Sequence, residues 1–283
     1  LIENSLNSGH SLQQVITTSS STDYTFSVFV KKSERSIIRI SRAGGSTAVS
    51  FDVNNLSFSN GGSGEGKIET LQNNWVKCIF TFPTVSTSTS LRIELQTAQS
   101  TASQSYQGDG ASGLYIYGAQ TEAGSYATSY IPTSGSSVTR AAETAYGAGT
   151  SDDFNDSEGV LFAEIKALAK DGTNRYISIS DGTDSNRITL RHRASNNVFS
   201  AFVVVNNSTV ALLDTSNSNI LEYSKLLIKY KENDFALWLN GFELLTDTSG
   251  SIFSDGTLNE LRFDTGGTGT PFYGKTKEVS VFK

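Results

Sequence analysis

Apolar side chains recur at every second position along almost the whole of this chain, and that alternation allows few folds. In YTFSVFV, Tyr24, Phe26, Val28 and Val30 share one face, and only Phe29 interrupts the polar one. Ile38 with Ile40, then Val49 with Phe51 and Val53, continue the pattern. In NNWVKCIFTFP, Val76, Cys78, Phe80 and Phe82 oppose Trp75, Lys77 and Ile79, and Leu91, Ile93 and Leu95 follow in SLRIELQ. Side chains that alternate across a pleat with one face buried are the mark of a half-buried strand. No stretch sustains the 3.6-residue repeat of an amphipathic helix.

The second half repeats the theme. Leu161, Ala163, Ile165 and Ala167 alternate in GVLFAEIKAL, Ile177 with Ile179 in RYISIS, and Ile188, Leu190 and His192 in RITLRHR. VFSAFVVV is apolar on both faces, as a central strand is. Asn206-Asn207 and Asn240-Gly241 are hairpin turns, because a type I′ turn needs two residues tolerant of positive φ. Asn54-Asn55, Asp171-Gly172 and Asp181-Gly182 are further turn signals. Leu261 with Phe263 and Val279 with Val281 close the pattern.

Between the halves lies GLYIYGAQTEAGSYATSYIPTSGSSVTR, residues 113–140. It opens as a closing strand, Leu114 and Ile116 on one face and Tyr115 and Tyr117 on the other, then turns into small and polar residues. Pro132 lacks an amide hydrogen and biases Ile131 to extended backbone, so an ordered strap is expected here and not a helix. A length of 283 residues is about twice a typical domain. The expectation is all-β: two antiparallel β-sandwich domains of jelly-roll and concanavalin-like type, at 1–124 and 154–283, joined by an ordered linker at 125–153. The start at Leu1 and the lack of methionine predict a longer protein whose N-terminal part is not in this sequence.

Charge and composition exclude several functions. Residues 1–145 carry 9 basic and 10 acidic side chains and residues 146–283 carry 13 and 18, so the net charge of −6 falls mostly in the second half. An acidic chain without a basic block is no nucleic-acid binder, and no apolar run reaches the ~20 residues of a membrane span. Cys78 is the single cysteine, so no internal disulfide forms. A catalytic triad needs a histidine with a partner. His10 and His192 are the only two, His192 is flanked by arginines, and neither has one in sequence. The Glu-x-Asp-x-x-Glu strand pattern of sandwich glucanases is absent, and Glu94 and Glu164 stand alone on their strands. The expectation is a protein that is not an enzyme and that requires no cofactor.

Two groups of residues are candidates for binding. Trp75, Phe29, Tyr106, Tyr115 and Tyr117 fall on polar faces of strands and could stack on the C–H face of a sugar ring. Arg187, Arg191 and Arg193, with Thr189, share a strand face suited to gripping carboxylate or sulfate groups of an acidic polysaccharide. Their competing reading is a solvated face paired with nearby carboxylates. The loops Asp152–Asp156 and Asp181–Asp184 are candidate calcium ligands and equally good turn formers.

Residues 118–133, GAQTEAGSYATSYIPT, resemble a segment that closes a carbohydrate-binding-module-like jelly roll in bacteriophage tail and virion surface proteins. YTFSVFVKK and NNWVKCIFTF agree with the earlier part of that domain, and residues 154–283 resemble a concanavalin-like or laminin-G-like sandwich. The resemblance implies a virion tail or fibre module, extracellular if not of phage, with host cell-surface polysaccharide and other virion proteins as partners, in a homo-oligomer of which a trimer is one form. It implies no residue-level sugar site. A structural spacer of the virion and an accessory region of a secreted polysaccharide-degrading enzyme are the competing functions.

Overall fold

In a computed structural model, which describes residues 1–42, 46–84, 86–140, 144–193, 198–216, 219–267 and 269–283, the chain divides into two compact units, Leu1–Thr139 and Arg140–Lys283. Both are antiparallel β-sandwiches. The one helical turn among the described residues is a 3-10 turn at Gln72–Asn74.

The first unit contains β1 (Asn7–Ser8), β2 (Ser11–Thr17), β3 (Asp23–Lys32), β4 (Ile37–Arg42), β5 (Ala48–Asp52), β6 (Ser57–Gly61), β7 (Glu65–Thr70), β8 (Val76–Pro83), β9 (Ser88–Gln96), β10 (Tyr106–Gln107) and β11 (Leu114–Ala123). A five-stranded sheet β2-β9-β4-β5-β6 packs on a four-stranded sheet β11-β3-β8-β7, and β1 pairs with β10. The core is built from the alternating residues of the sequence: Val28 and Val30, Cys78, Phe80 and Phe82, facing Ile38, Ile40, Phe51, Ile93 and Leu95. Cys78 is fully enclosed, and burial pushes its thiol above the usual range, which makes it a packing residue.

The β5–β6 turn differs from the Asn-Asn expectation. Leu56 holds the left-handed backbone (φ 53°), because the Asp52 carboxylate accepts the amides of Asn54 and Asn55 and fixes an Asx turn first.

The polar face of the five-stranded sheet is not open to solvent. Residues 97–105, between β9 and β10, lie over it. Arg39 Nε donates to the Thr101 carbonyl (2.7 Å) and Gln96 to that of Ala102 (2.8 Å). Glu94 accepts from Ser103 Oγ and the Gln104 amide, both at 2.7 Å. Arg39 and Glu94 are buried as an ion pair at 3.4 Å.

The 113–140 segment is bonded to the first unit through its own motif. Gly118 (φ 61°) forms a bulge on β11, and a Cβ there would come within 2.8 Å of the Phe29 ring. The bulge shifts the alternation by one, so that Gln120 and Glu122 point to the same face as Tyr115 and Tyr117. Gln120 Oε1 then accepts the Ile131 amide (2.8 Å), and Glu122 accepts the amide and hydroxyl of Thr128. Lys77 Nζ donates to the Thr128 carbonyl (2.7 Å). Replacing Gln120 by alanine is expected to raise hydrogen exchange at the Ile131 amide about tenfold, the loss of one ordinary hydrogen bond.

The second unit contains β12 (Glu158–Ala167), β13 (Arg175–Ser180), β14 (Arg187–Arg193), β15 (Val198–Val205), β16 (Ser208–Asp214), β17 (Ser224–Lys231), β18 (Phe235–Leu239), β19 (Phe242–Asp247), β20 (Glu260–Arg262) and β21 (Gly274–Phe282). Its two five-stranded sheets run β19-β18-β17-β12-β21 and β16-β15-β14-β13-β20. Asn206 and Asn207 (φ 48° and 65°) and Asn240 and Gly241 (φ 51° and 90°) take the left-handed turn conformations that the sequence predicts. β15 is buried along its length, between β14 and β16. The expected linker is shared out: residues 125–131 bond to β11, while Ala145 and Ala148 bond to Phe263 and Leu261 of the second unit.

Candidate aromatic and arginine surfaces

The outer face of the four-stranded sheet brings most of the predicted aromatics together. β11 pairs with β3 so that Tyr115 opposes Lys31 and Tyr117 opposes Phe29, and β3 pairs with β8 so that Phe29 opposes Lys77. Tyr117 lies near-parallel to Phe29 (centroids 6.1 Å, 29°). Tyr130, carried back over the sheet by the strap, sets its edge against both Tyr117 (5.5 Å) and Phe29 (6.3 Å). Lys77 Nζ stands 5.8 Å from the Phe29 centroid. Tyr115 and Tyr117 are each 59% exposed, while their strand neighbour Leu114 is buried. The result is an aromatic shelf supported from below by Phe29 and bordered by lysines.

Trp75 departs from expectation in detail. It precedes β8 and closes the 3-10 turn, its amide donating to Gln72 O (3.3 Å) and its carbonyl accepting the Leu71 amide (2.9 Å). It is half-buried, one position beyond the Val30–Val76 pair and therefore level with Lys31 and Tyr115.

Tyr106 does not join this surface. Its hydroxyl donates to Glu3 (2.8 Å), its ring tilts against His10 (4.5 Å), and the Arg35 guanidinium lies over it at 5.4 Å. Burial first, and the hydrogen bond to Glu3 second, push the phenol up to about 12. Glu3 also accepts two bonds from Arg35 and the Asp109 amide, and Arg35 holds its carboxyl below the ordinary value. Tyr106 therefore ties the N-terminal segment to β10, a role that a solitary strand-like tyrosine in sequence does not reveal.

The arginines of β14 lie on the outer face of their sheet and have carboxylate partners, two of them sharing one that lies two strands away. Arg191 and Arg193 share Asp214 of β16 (3.6 and 2.7 Å), and Arg187 pairs with Asp184 (2.9 Å). Register places Phe202 diagonally between Arg187 and Arg191, whose guanidinium carbons stand 5.5 and 5.0 Å from its centroid. Arg191 also lies 5.9 Å from Tyr176. On the adjoining β20, Arg262 is held by two carboxylates, Glu260 and Asp264 (both 2.8 Å), so the four guanidinium groups of this outer face are matched by four carboxylates. Thr189 is buried, its hydroxyl beside Ser178 (3.0 Å) and the 264–266 loop above it, and so does not contribute.

The aspartates of the candidate calcium loops are engaged in turns. Asp153 accepts the amide and hydroxyl of Thr150, and Asp156 accepts the amides of Gly256, Thr257 and Leu258. Asp181 accepts from Thr183 and Asn186. No group of three His, Cys, Asp or Glu side chains converges among the described residues. Glu94 is enclosed with Arg39, and Glu164 pairs with Lys277 at 2.8 Å.

No protein-family model matches the chain, and no curated protein matches it. Among solved structures it is similar to chicken galectin 2, at 13% identity over 47% of this chain and 95% of the galectin, with a TM-score of 0.32. It is similar to the carbohydrate-binding module CBM66 from Bacillus subtilis at 14% identity, over 45% of this chain and 76% of the module, with a TM-score of 0.35. A heptameric SAP-like pentraxin from Limulus polyphemus aligns at 13% identity over 44% of this chain and 64% of the pentraxin, with a TM-score of 0.36. At this level the likeness is one of chain architecture and assigns no ligand.

Proposed function

We propose that this chain is a non-catalytic, glycan-binding module of a virion surface appendage, with the shelf of Tyr115 and Tyr117 as its sugar contact. The observation that carries this reading is the exposure of two tyrosines side by side on a rigid sheet, with Phe29 and Tyr130 holding the inner ring in place. A pyranose presents an apolar C–H face to such rings and hydroxyls to Lys31 and the phenols around them. The resemblance of residues 118–133 to phage jelly-roll segments supports the virion setting, in which host surface polysaccharide is the ligand and other virion proteins are the neighbours. Single contacts of this kind are weak and become firm attachment when repeated on an oligomer.

The test is glycan-array and host-cell binding by the oligomeric protein. Tyr117→Ala is expected to weaken binding about tenfold, ~1.4 kcal/mol, with an unchanged circular dichroism spectrum. Wild-type protein that binds no host polysaccharide, or a variant that binds as well as wild type, overturns the reading. The β14 surface suggests an acidic glycan as a second ligand, since Arg187 and Arg191 flank Phe202 with guanidinium groups that could pair with a uronate or sulfate. Arg191→Ala is expected to weaken binding to uronate-bearing or sulfated glycans and to leave neutral ones unaffected.

A further inference from the structure

Strand register arranges the outer face of the sheet β11-β3-β8-β7 in rows. Tyr115, Lys31 and Trp75 stand in one row, and Tyr117, Phe29 and Lys77 in the next. The two rows beyond these, through Ser27 and Thr25, are closed over: both residues are buried, and the Thr25 hydroxyl donates to the Gly124 carbonyl (2.8 Å). The strap thus leaves open, on β3, the end that carries Lys31. There an ammonium group is set between two aromatic residues, one on each neighbouring strand. Among the described residues Lys31 forms no ion pair or side-chain hydrogen bond. The other lysines of the face are engaged, Lys67 with Glu69 (2.8 Å) and Lys77 with the Thr128 carbonyl (2.7 Å). Of the remaining carboxylates, Glu65 and Glu122 lie three rows away, Glu122 bonded to Thr128, and Glu34, past the end of β3, accepts the Gly113 amide (3.3 Å).

We propose that this row binds a linear polysaccharide with an anionic group on alternate sugars, Tyr115 and Trp75 stacking on two sugars and Lys31 pairing with a carboxylate or sulfate on the sugar between them. The proposal rests on the reading of the tyrosine shelf as this unit's sugar contact. Neighbouring strands lie about 4.8 Å apart, which sets Tyr115 and Trp75 about 10 Å apart at the backbone. An extended β-linked chain advances by close to one strand spacing per sugar, so a chain laid across the strands places successive sugars over Tyr115, Lys31 and Trp75. In a flat ribbon alternate sugars turn the same side to one surface, and the outer two can lay equivalent C–H faces on the two rings. The middle sugar then stands over a compact charge with three donors. A neutral sugar in that place would take water from the ammonium and return no counter-charge.

Titration of the full chain in a Trp238→Phe background, with Trp75 as the emitter, tests this. The probes are hexasaccharides of hyaluronan, with a carboxylate on alternate sugars, and of keratan sulfate, with a sulfate on alternate sugars, each beside its carboxyl-reduced or desulfated form. At least one charged probe is expected to bind at least tenfold more tightly than its neutral form, to change the Trp75 emission, and to weaken as salt is raised. The probe that shows the preference identifies the anion, and the Trp75 signal separates this row from the β14 face of the second unit. Lys31→Gln is expected to bring the charged-to-neutral ratio to about one with an unchanged circular dichroism spectrum. Equal affinity for charged and neutral forms, a preference kept by Lys31→Gln, binding without a change in Trp75 emission, or failure to bind any of the four while other glycans still bind overturns the row and leaves the shelf standing. Tyr117→Ala binding as well as wild type, or no glycan bound at all, removes the shelf and the row together.

Discussion

Replacing Glu94 by alanine is expected to destabilise the first unit by about 3–5 kcal/mol, the usual cost of removing one partner from a buried ion pair. Arg39 and Glu94 are 6% and 1% exposed, and the polar roof over them consists of residues 97–105. Burial already lowers the pKa of the Arg39 guanidinium, and Glu94 is the charge that opposes this. Without Glu94, the Ser103 hydroxyl and Gln104 amide also lose their acceptor. Urea unfolding followed by tryptophan fluorescence in a Trp238→Phe background, which leaves Trp75 of the first unit as the emitter, measures the change. Glu94→Gln keeps one acceptor oxygen and is expected to cost less. A loss below about 1 kcal/mol for alanine shows that the roof opens and lets water reach Arg39, so that the charge is never stranded.

The second large effect concerns acid. His192 is fully buried against Phe199 and Phe272, and neither ring nitrogen has a hydrogen-bond partner among the described residues. Burial, with the facing Arg175 as the second cause, lowers its pKa to about 3. The folded pKa lies below the unfolded value, so the unfolded chain binds the proton more readily. The stability is fully present above pH ~6.5 and is lost as pH falls towards 3, at about 1.4 kcal/mol per pH unit. Between pH 7 and pH 5, where the ordinary carboxylates remain ionised, the second unit is expected to lose about 2 kcal/mol. His192→Leu removes the titrating group and should flatten that part of the profile. An unchanged slope in the variant places the acid sensitivity elsewhere, with Arg175 and Asp171 the next groups to replace.

Strands, hairpin turns and inward residues could be read from the sequence because each depends on near neighbours: alternation of side chains, and asparagine or glycine where φ is positive. The arginine face was legible in the same way, but its partner was not, since Asp214 reaches Arg193 only after β15 has been laid between their strands. The pairing of Arg39 with Glu94, which stands alone on its strand in the sequence, was hidden for the same reason. Charged residues at alternate positions look alike whether water or a returning loop lies above them. Tyr106 misled because its partners Glu3 and Arg35 are far away in sequence. Tyr130 packs on the outer face of the first unit. Its ring partners Phe29 and Tyr117 depend on the bulge at Gly118, a backbone feature that one glycine among many does not announce.

The clamp of Gln120 and Glu122 on the strap also bears on how the chain can be divided. A polypeptide ended at Gly124 would keep every strand of the first unit, yet leave both clamp side chains without their amide partners, and Phe29 and Tyr117 without Tyr130. Ended at Thr139, the same unit carries its own fastening. It is in that sense a cassette with a built-in latch, tolerant of exchange in whatever sequence follows and intolerant of a cut sixteen residues earlier than about position 140.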